Sequence, residues 1–489
     1  AALRYTIPEQ DGIGDFVIED ELTAFRFDDD HPCYAVYSAQ GVYERVPLSA
    51  LRRGCERPLT VILGEGRCAA VAEAALVDYA RMRLQPANAP HTVRADLSST
   101  VKAQAPYSTP WRVVMVGDSP GQLFERNYLL LNLNVPCAID DTSWIKPGKV
   151  IRETTLTTQG GKACVDFAVE MGLQYIEYDA GWYGHEYDDG QDATTVTRDD
   201  KKGVRGGTLD LNEVIDYAKS KGIGVWVYVN RRQLERQLDD ILPLYRDWGI
   251  AGVKYGFVRV GDQRWTTWLH EAVRKAAAHR LMVDVHDEYR PTGYERTYPN
   301  FLTAEGIGGN ETMPTPQHNC TLPFTRLLCG PGDYTVCWYT DRIQTTHAHQ
   351  LALAVVMYSP LQFLFWYDKP HQYQGERELE FFKHVPTVWD DTRVLHDAIG
   401  ECAAVARRSG KDWFVGVINA GQVRELDLPL DFLAQDQAYD LVHYADADPH
   451  GDAPRDVAVT QRCVHRDDTV SIKLAPNGGC ALHLVPAAE

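Results

Sequence analysis

Along the first 135 residues, apolar and polar positions alternate in short runs: Ala35-Val36-Tyr37, Leu59-Thr60-Val61-Ile62-Leu63 and Trp111-Arg112-Val113-Val114-Met115-Val116. Gly, Pro and Asp break these runs at sandwich-like intervals, so residues 1–135 are predicted to form an all-β N-terminal sandwich domain. From about residue 144 the rhythm changes to strand–helix alternation, which implies a parallel sheet. Gln174-Tyr175-Ile176-Glu177-Tyr178 reads as a strand, and Leu211, Val214, Ile215 and Ala218 mark one face of a helix that stops at Gly222. Val225-Trp226-Val227-Tyr228-Val229 is the next strand. Leu234, Leu238, Ile241, Tyr245 and Trp248 trace another helix, which Pro243 should disturb. The alternation continues through strand 252–258, helix 265–279, strand 282–285, a helical stretch near 347–357 and a last strand at 361–365. About eight such units predict a (β/α)8 barrel over residues 136–400. After residue 400 strand patterning returns, as in Trp413-Phe414-Val415-Gly416-Val417-Ile418, and predicts a C-terminal β-sandwich over 401–489.

Composition narrows the function. With 489 residues and 44% apolar content the chain can bury more than one core. A formal net charge of −19 argues against nucleic acid, whose phosphates need clustered cations, but leaves neutral sugars open. No run of 18 apolar residues is present, so no membrane helix and no membrane partner are expected. The start, AALRYTIPEQ, lacks the basic and apolar regions of a signal peptide: either one has been removed or the chain begins inside a longer one. Eleven dispersed cysteines with no C-x-x-C pair read as buried thiols rather than a zinc site.

The most informative stretch is VDVHDEYRPTGYERTYPNFLTAEGIGGNE, residues 283–311. Asp287 and Glu288 end one apolar strand, Glu305 follows another, and Glu311 lies in a Gly-rich loop. Strand ends of a barrel open onto the ligand-binding face. Carboxylates crowded there repel one another and need a cation, a raised pKa or intervening solvent. Glu311 suits a general acid whose pKa is raised by its neighbours, although a solvated loop residue would look the same. Glu305 and Asp287, with Glu311, suit Ca2+, which takes six to eight oxygens; the alternative is salt bridging to Arg290 or Arg296. Asp179 beside Trp182 is a candidate sugar contact or a helix cap. His347 and His349 read as core or hydroxyl contacts, and Arg231, Arg232 and Arg259 as solvated or as partners of an acidic substituent.

Trp144-Ile145-Lys146-Pro147-Gly148-Lys149, YDAGWYG, VKYGFV, RPTGYERTYPN, LPFTRLLCGPGDYT, THAHQLAL and YSPLQ occur in order, and together they resemble glycoside hydrolase family 97 over roughly residues 20 to 420. The resemblance implies an exo-acting α-glycosidase with an N-terminal β-super-sandwich (here shortened), a (β/α)8 barrel, a small C-terminal β domain, a bound Ca2+ and a periplasmic or secreted location. It makes Glu311 the general acid and Glu305, Asp287 and Glu311 calcium ligands, with Glu73 as the ligand from the N-terminal domain. The family's retaining branch has a nucleophilic aspartate on the fourth strand and glycine after the histidine of the fifth, where this chain has Gly256 and Asp287. Its inverting branch has glycine and glutamate there, with a second base glutamate ending the third strand, where this chain has Asn230-Arg231.

The expectation is therefore a calcium-dependent, inverting α-glycosidase acting on terminal glucosyl or galactosyl residues of an oligosaccharide or glycoside. Glu311 is its acid, Asp287 its base, and Asp179, Trp182, Asn230, Arg231, Lys254, His286, Glu288 and His349 its sugar contacts; Glu288 and Asp179 are also candidates for the missing base. A sugar-binding protein that has lost hydrolysis, and an enzyme for acidic or modified glycosides, are the competing readings. Oligomeric state is not readable from the sequence.

Overall fold

A computed structural model describes residues 1–449 and 455–487. The N-terminal part is built on a six-stranded antiparallel sheet that contains the predicted strands Leu59–Gly64 and Trp111–Gly117, here flanking Arg67–Ala74. Against it packs a three-stranded sheet of Ala24–Arg26, Thr92–Leu97 and Met82–Pro86, and Val61, Val71, Met82, Leu84 and Val93 fill the space between. The expectation of an all-β stretch to residue 135 is too simple. Helices Pro120–Glu125 and Tyr128–Asn132 end the domain. The first begins where Ser119 accepts from the Gln122 amide and Pro120 takes the first helical position, a start signal that the neighbouring β pattern masks.

The barrel strands run parallel in the order Phe301–Ala304, Met282–Val285, Gly252–Gly256, Gly224–Asn230, Tyr175–Tyr178, Gly148–Glu153 and Leu361–Phe363. In chain order these are the sixth, fifth, fourth, third, second, first and last. Seven regular strands stand where about eight were expected. The remaining gap is bridged by irregular backbone: the Asp333 amide donates to the Ala304 carbonyl at 3.1 Å, the Val336 amide to Phe363 at 3.0 Å, and Trp366 back to Val336 at 3.0 Å. Pro331 has no amide to give and Thr335 sits at φ 61°, so this segment closes the barrel without becoming a strand. Pro243 does not break its helix, which runs from Arg231 to Trp248 and stops at Gly249 in the left-handed region (φ 87°). Among the described residues no helix is long and apolar enough to cross a membrane.

The C-terminal sheet opens with Asp391–Ala398, upstream of residue 401, and continues through five further antiparallel strands. The pair Arg424–Pro429 and Thr469–Leu474 covers its outer face, Leu428 and Val470 packing with Val415, Leu441 and Leu482. Its inner face lies on the helix His347–Val356 so closely that a Cβ on Gly416 would come within 2.5 Å of the Ala352 carbonyl oxygen. His349 belongs to this joint. Fully buried, it lies 3.0 Å from the Gly478 oxygen and 3.2 Å from Asn319, so it is no sugar contact. Cysteines behave as expected: all eleven are free and only Cys137 and Cys463 are exposed.

Glu73 is likewise placed away from any ligand. Its carboxylate accepts from Arg57 Nε at 2.6 Å and from Arg112, whose other nitrogens grip Glu21 at 2.6 and 2.7 Å, and all four side chains are buried. A carboxylate committed to two guanidiniums is an internal pair of the sandwich, and the expected calcium role falls. Removing one partner from such a pair strands a buried charge. Glu73→Ala is therefore expected to destabilise the fold by about 3–5 kcal/mol. Urea denaturation checks this, and an unchanged midpoint would show that the network carries little.

Candidate active site

The C-terminal ends of the barrel strands enclose a cavity of about 420 Å³. Arg152 and Glu153 reach it from the first strand, Asp179 from the second, Tyr228 from the third, Lys254 from the fourth, and His286 and Asp287 from beyond the fifth. Glu311 comes from the loop after the sixth strand, and Trp366 and Tyr367 follow the last. A parallel barrel places catalytic groups at this face. The volume is that of a small-molecule site, and Trp366, Tyr367, Tyr187 and Phe257 offer ring surfaces to a sugar.

Two buried cations organise the acids. Lys254 Nζ lies 3.2 Å from Asp179 Oδ2 and 4.0 Å from the centre of the Trp366 ring. Burial opposes its charge, but Asp179 and then Glu177 hold it above the ordinary lysine range. For Asp179 burial is outweighed by Lys254 and Arg152, so its carboxyl titrates well below the usual range. His286 sits between carboxylates, with Nε2 2.7 Å from Asp333 and 3.4 Å from Asp284, and Nδ1 3.1 Å from Glu305. Burial disfavours its charge, yet Glu305 and Asp284 raise it well above a free histidine. The reciprocal effect holds Glu305 low against its own burial.

Glu311 is different. Among the described residues its carboxylate has no hydrogen-bond partner; burial first, then repulsion from Glu305 working against the pull of Lys254, pushes its pKa up to about 7. A carboxyl that still holds a proton near neutrality is what a general acid requires. Asp287 is raised too, by burial, with His286 opposing and Glu305 reinforcing. Its Oδ2 accepts a short hydrogen bond from the Phe257 amide, and its own amide donates to Glu305 Oε2 at 2.7 Å. Neither Arg290, which donates to Tyr43, Arg57 and Ala39, nor Arg296, which donates to Leu131 and Asn132, pairs with these acids.

Of the expected site residues, Asp179, Lys254, His286, Asp287 and Glu311 line the cavity, and Glu305 stands directly behind Glu311. Five others do not. Trp182 is fully buried among Tyr183, Tyr245 and Trp248, its indole N–H donating to the Tyr228 carbonyl at 2.8 Å, so it is core rather than a sugar platform. Asn230 caps the following helix through the Arg232 amide at 3.1 Å and lies behind Tyr228. Arg231 pairs with Glu235 at 3.3 Å on the outside of the same helix, and Arg259 meets the same carboxylate at 3.3 Å. Glu288 turns away to accept from the Ala39 amide at 3.3 Å. His349 is the fifth, placed at the domain joint. With Arg231 and Arg259 outside the cavity, the reading of an acidic substituent loses its basis.

The sequence reading missed Arg152, Glu153, Glu186, Lys202, Tyr228 and Trp366. Arg152-Glu153 and Trp366 end barrel strands just as Asp179 does, so the same rule would have found them. Glu186 had no such signal. It comes from the loop after YDAGWYG and is buried against the Tyr228 hydroxyl at 2.6 Å and the Lys202 ammonium.

For calcium, oxygens of Glu305 and Glu311 and a nitrogen of His286 lie within 4.8 Å of one another. The two carboxylates fit a hard dication, which would also offset their repulsion, and the rest of a six-to-eight oxygen shell would be water or sugar. Asp287 is committed to the Phe257 amide and Glu73 to arginines, so half of the expected ligand set is left.

Comparison with known proteins agrees with this geometry. Family models for glycoside hydrolase 97, its N-terminal domain and its C-terminal oligomerisation domain match residues 143–307, 1–136 and 388–485. A retaining alpha-galactosidase of Bacteroides thetaiotaomicron is 30% identical over 484 residues, covering 87% of this chain and 71% of the relative. A probable retaining alpha-galactosidase of Streptomyces bingchenggensis is 30% identical over 500 residues, covering 98% of this chain and 75% of the relative. Among solved structures, a family 97 enzyme of Pseudoalteromonas sp. strain K8 in complex with acarbose superposes with a TM-score of 0.90 at 29% identity, covering all of this chain and 84% of that one. The chain belongs to glycoside hydrolase family 97 and is a glycoside hydrolase. The expectation of an inverting mechanism is corrected here: these relatives from Bacteroides and Streptomyces are named as a retaining and a probable retaining alpha-galactosidase. That expectation rested on Gly256 and Asp287 standing where the inverting branch has glycine and glutamate, and such a match does not fix on which reacting atom a carboxylate bears.

Gly256 marks the tightest point of the site. A Cβ there would fall 1.9 Å from the Tyr228 ring, so Gly256→Ala must displace that ring and is expected to destabilise the protein by roughly 1–3 kcal/mol. It should also lower activity by moving the Tyr228–Glu186 pair. Thermal unfolding and initial rates read both effects, and a variant equal to the parent in each would show that the ring moves freely.

Proposed function

We propose that this chain is a retaining α-galactosidase that removes terminal α-linked galactosyl residues from oligosaccharides, with Glu311 as its general acid and base. The observation that carries the reading is Glu311, a cavity carboxyl held without a hydrogen-bond partner among the described residues and pushed to about 7, while Asp179 and Glu305 nearby are held low. The names of the Bacteroides and Streptomyces relatives support the sugar and the stereochemistry. Asp179, salt-bridged to Lys254, is placed to accept sugar hydroxyls, and Trp366 and Tyr367 to face the ring. Arg152 and His286 add donors on the cavity wall.

In the first half of the reaction Glu311 gives its proton to the glycosidic oxygen as the bond to the anomeric carbon breaks. In the second half the resulting carboxylate takes a proton from water. Glu305 and Glu311 would hold Ca2+, which when bound supplies positive charge against the crowded carboxylates. Closing the cavity around one sugar removes water from Lys254 and His286 and strengthens their hold on the neighbouring acids.

Glu311→Gln is expected to lower turnover of a natural galactosyl disaccharide by about 10²- to 10⁴-fold, whereas an aryl galactoside with an activated leaving group should still give a fast first release of the phenol followed by slow turnover, because the second half-reaction lacks its base. Equal activity of this variant on the disaccharide would remove Glu311 from the chemistry. Paired assays on p-nitrophenyl α-galactoside and α-glucoside test the sugar, and a preference for the glucoside would overturn the galactosyl assignment. For the ion, calcium at 100 times its Kd should add about 2.7 kcal/mol of stability, read as a raised Tm that chelation reverses. Identical melting with calcium and with chelator would count against the site.

A further inference from the structure

We propose that Asp287 is the catalytic nucleophile, carried by the fifth barrel strand but delivered to the end of the fourth; the inference rests on the retaining reading above. Retention requires a second carboxylate that attacks the anomeric carbon from the face opposite the acid. The fourth strand cannot supply one, because it ends in Gly256 and the Tyr228 ring occupies the space of any side chain there. Asp287 reaches that strand end instead. Its Oδ2 accepts from the amide of Phe257, the residue after Gly256; Oδ1 has no hydrogen-bond partner among the described residues, and the residue lines the cavity.

The backbone is bent to make this contact. Asp287 lies at φ 70° and Phe257 at φ 53°, both in the left-handed region that side chains disfavour. Two strained residues on adjacent strand ends, joined by one short hydrogen bond, hold a carboxylate in a fixed orientation. Strain of this kind persists where the surrounding structure enforces a functional geometry.

The other acids on the cavity wall are spent. Glu153 accepts from the Thr155 amide at 2.8 Å, the Leu156 amide at 2.5 Å and the Thr155 hydroxyl. Asp179 is bound by Lys254 at 3.2 Å and the Ala180 amide at 2.6 Å. Glu186 is held by Tyr228 and Lys202. With Glu311 as the acid, Asp287 is the lining carboxylate left with an uncommitted oxygen.

In the step proposed, Asp287 Oδ1 forms a bond to the anomeric carbon as the glycosidic C–O bond breaks. The bonding electrons leave with the glycosidic oxygen, which takes the Glu311 proton and departs as an alcohol. The product is a β-linked glycosyl ester on Asp287. Water then attacks the same carbon and gives its proton to Glu311, and the ester electrons return to Asp287 as the α-sugar leaves.

The test combines trapping with rescue. Full-length enzyme incubated with a 5-fluorogalactosyl fluoride, then digested and mass-mapped, is expected to carry one glycosyl adduct on Asp287. An adduct on Asp179, Glu186 or another residue overturns the assignment. Asp287→Gly keeps the backbone at ease, because glycine adopts φ 70° freely, and should lose on the order of 10³- to 10⁴-fold in kcat on an aryl galactoside. Sodium azide should restore much of that rate and give the β-galactosyl azide, whereas a folded variant that azide fails to rescue speaks against Asp287. If the parent enzyme forms no adduct and first releases the β-sugar, the retaining reading fails, and the assignment falls with it.

Discussion

The site depends on electrostatic balance at the barrel mouth. Carboxylates from the first, second, fifth and sixth strand ends converge on one cavity, and two buried side chains, Lys254 and His286, carry much of the compensating charge. Their positions decide which acids stay ionised. Asp179 and Glu305 lie against a cation and are held low, whereas Glu311 is further from compensation and rises to about 7. Different environments thus give chemically identical side chains different roles. Beneath the cavity Glu177 and Asp284 are wholly buried, and burial raises both far above the usual carboxylate range.

The second organising feature is the exchange of space between Gly256, Tyr228 and Asp287. Tyr228 lies across the end of the fourth strand, fixed by its hydroxyl to Glu186, and this arrangement is possible because residue 256 has no side chain. A carboxylate reaching in from the next strand then takes its backbone anchor from Phe257. Substituting any one of the three changes the room available to the other two, so their effects on rate should not add.

Periodicity made the barrel legible because its strands are buried on both faces and its helices on one, as in Tyr175–Tyr178 and Leu211–Ser220. The closing segment 333–336 was not legible, since its pairing comes from neighbours distant in sequence rather than from its own pattern. Acids at strand ends could be read directly, which is why Asp179, Asp287, Glu305 and Glu311 were found. Their partners could not. Nothing in YDAGWYG shows that Trp182 faces inward to the Tyr228 carbonyl while Glu186, further along the loop, turns back to the cavity. Glu73 shows the same gap: its residue type suited a cation, and Arg57 and Arg112 provided that cation from within the sandwich.

The stereochemistry of the first product tests the account most directly. Proton NMR of the sugar released in the opening minutes from an aryl α-galactoside, before mutarotation, should show the α-anomer accumulating first. Initial release of the β-anomer would contradict it, because a single displacement by water needs no attacking side chain.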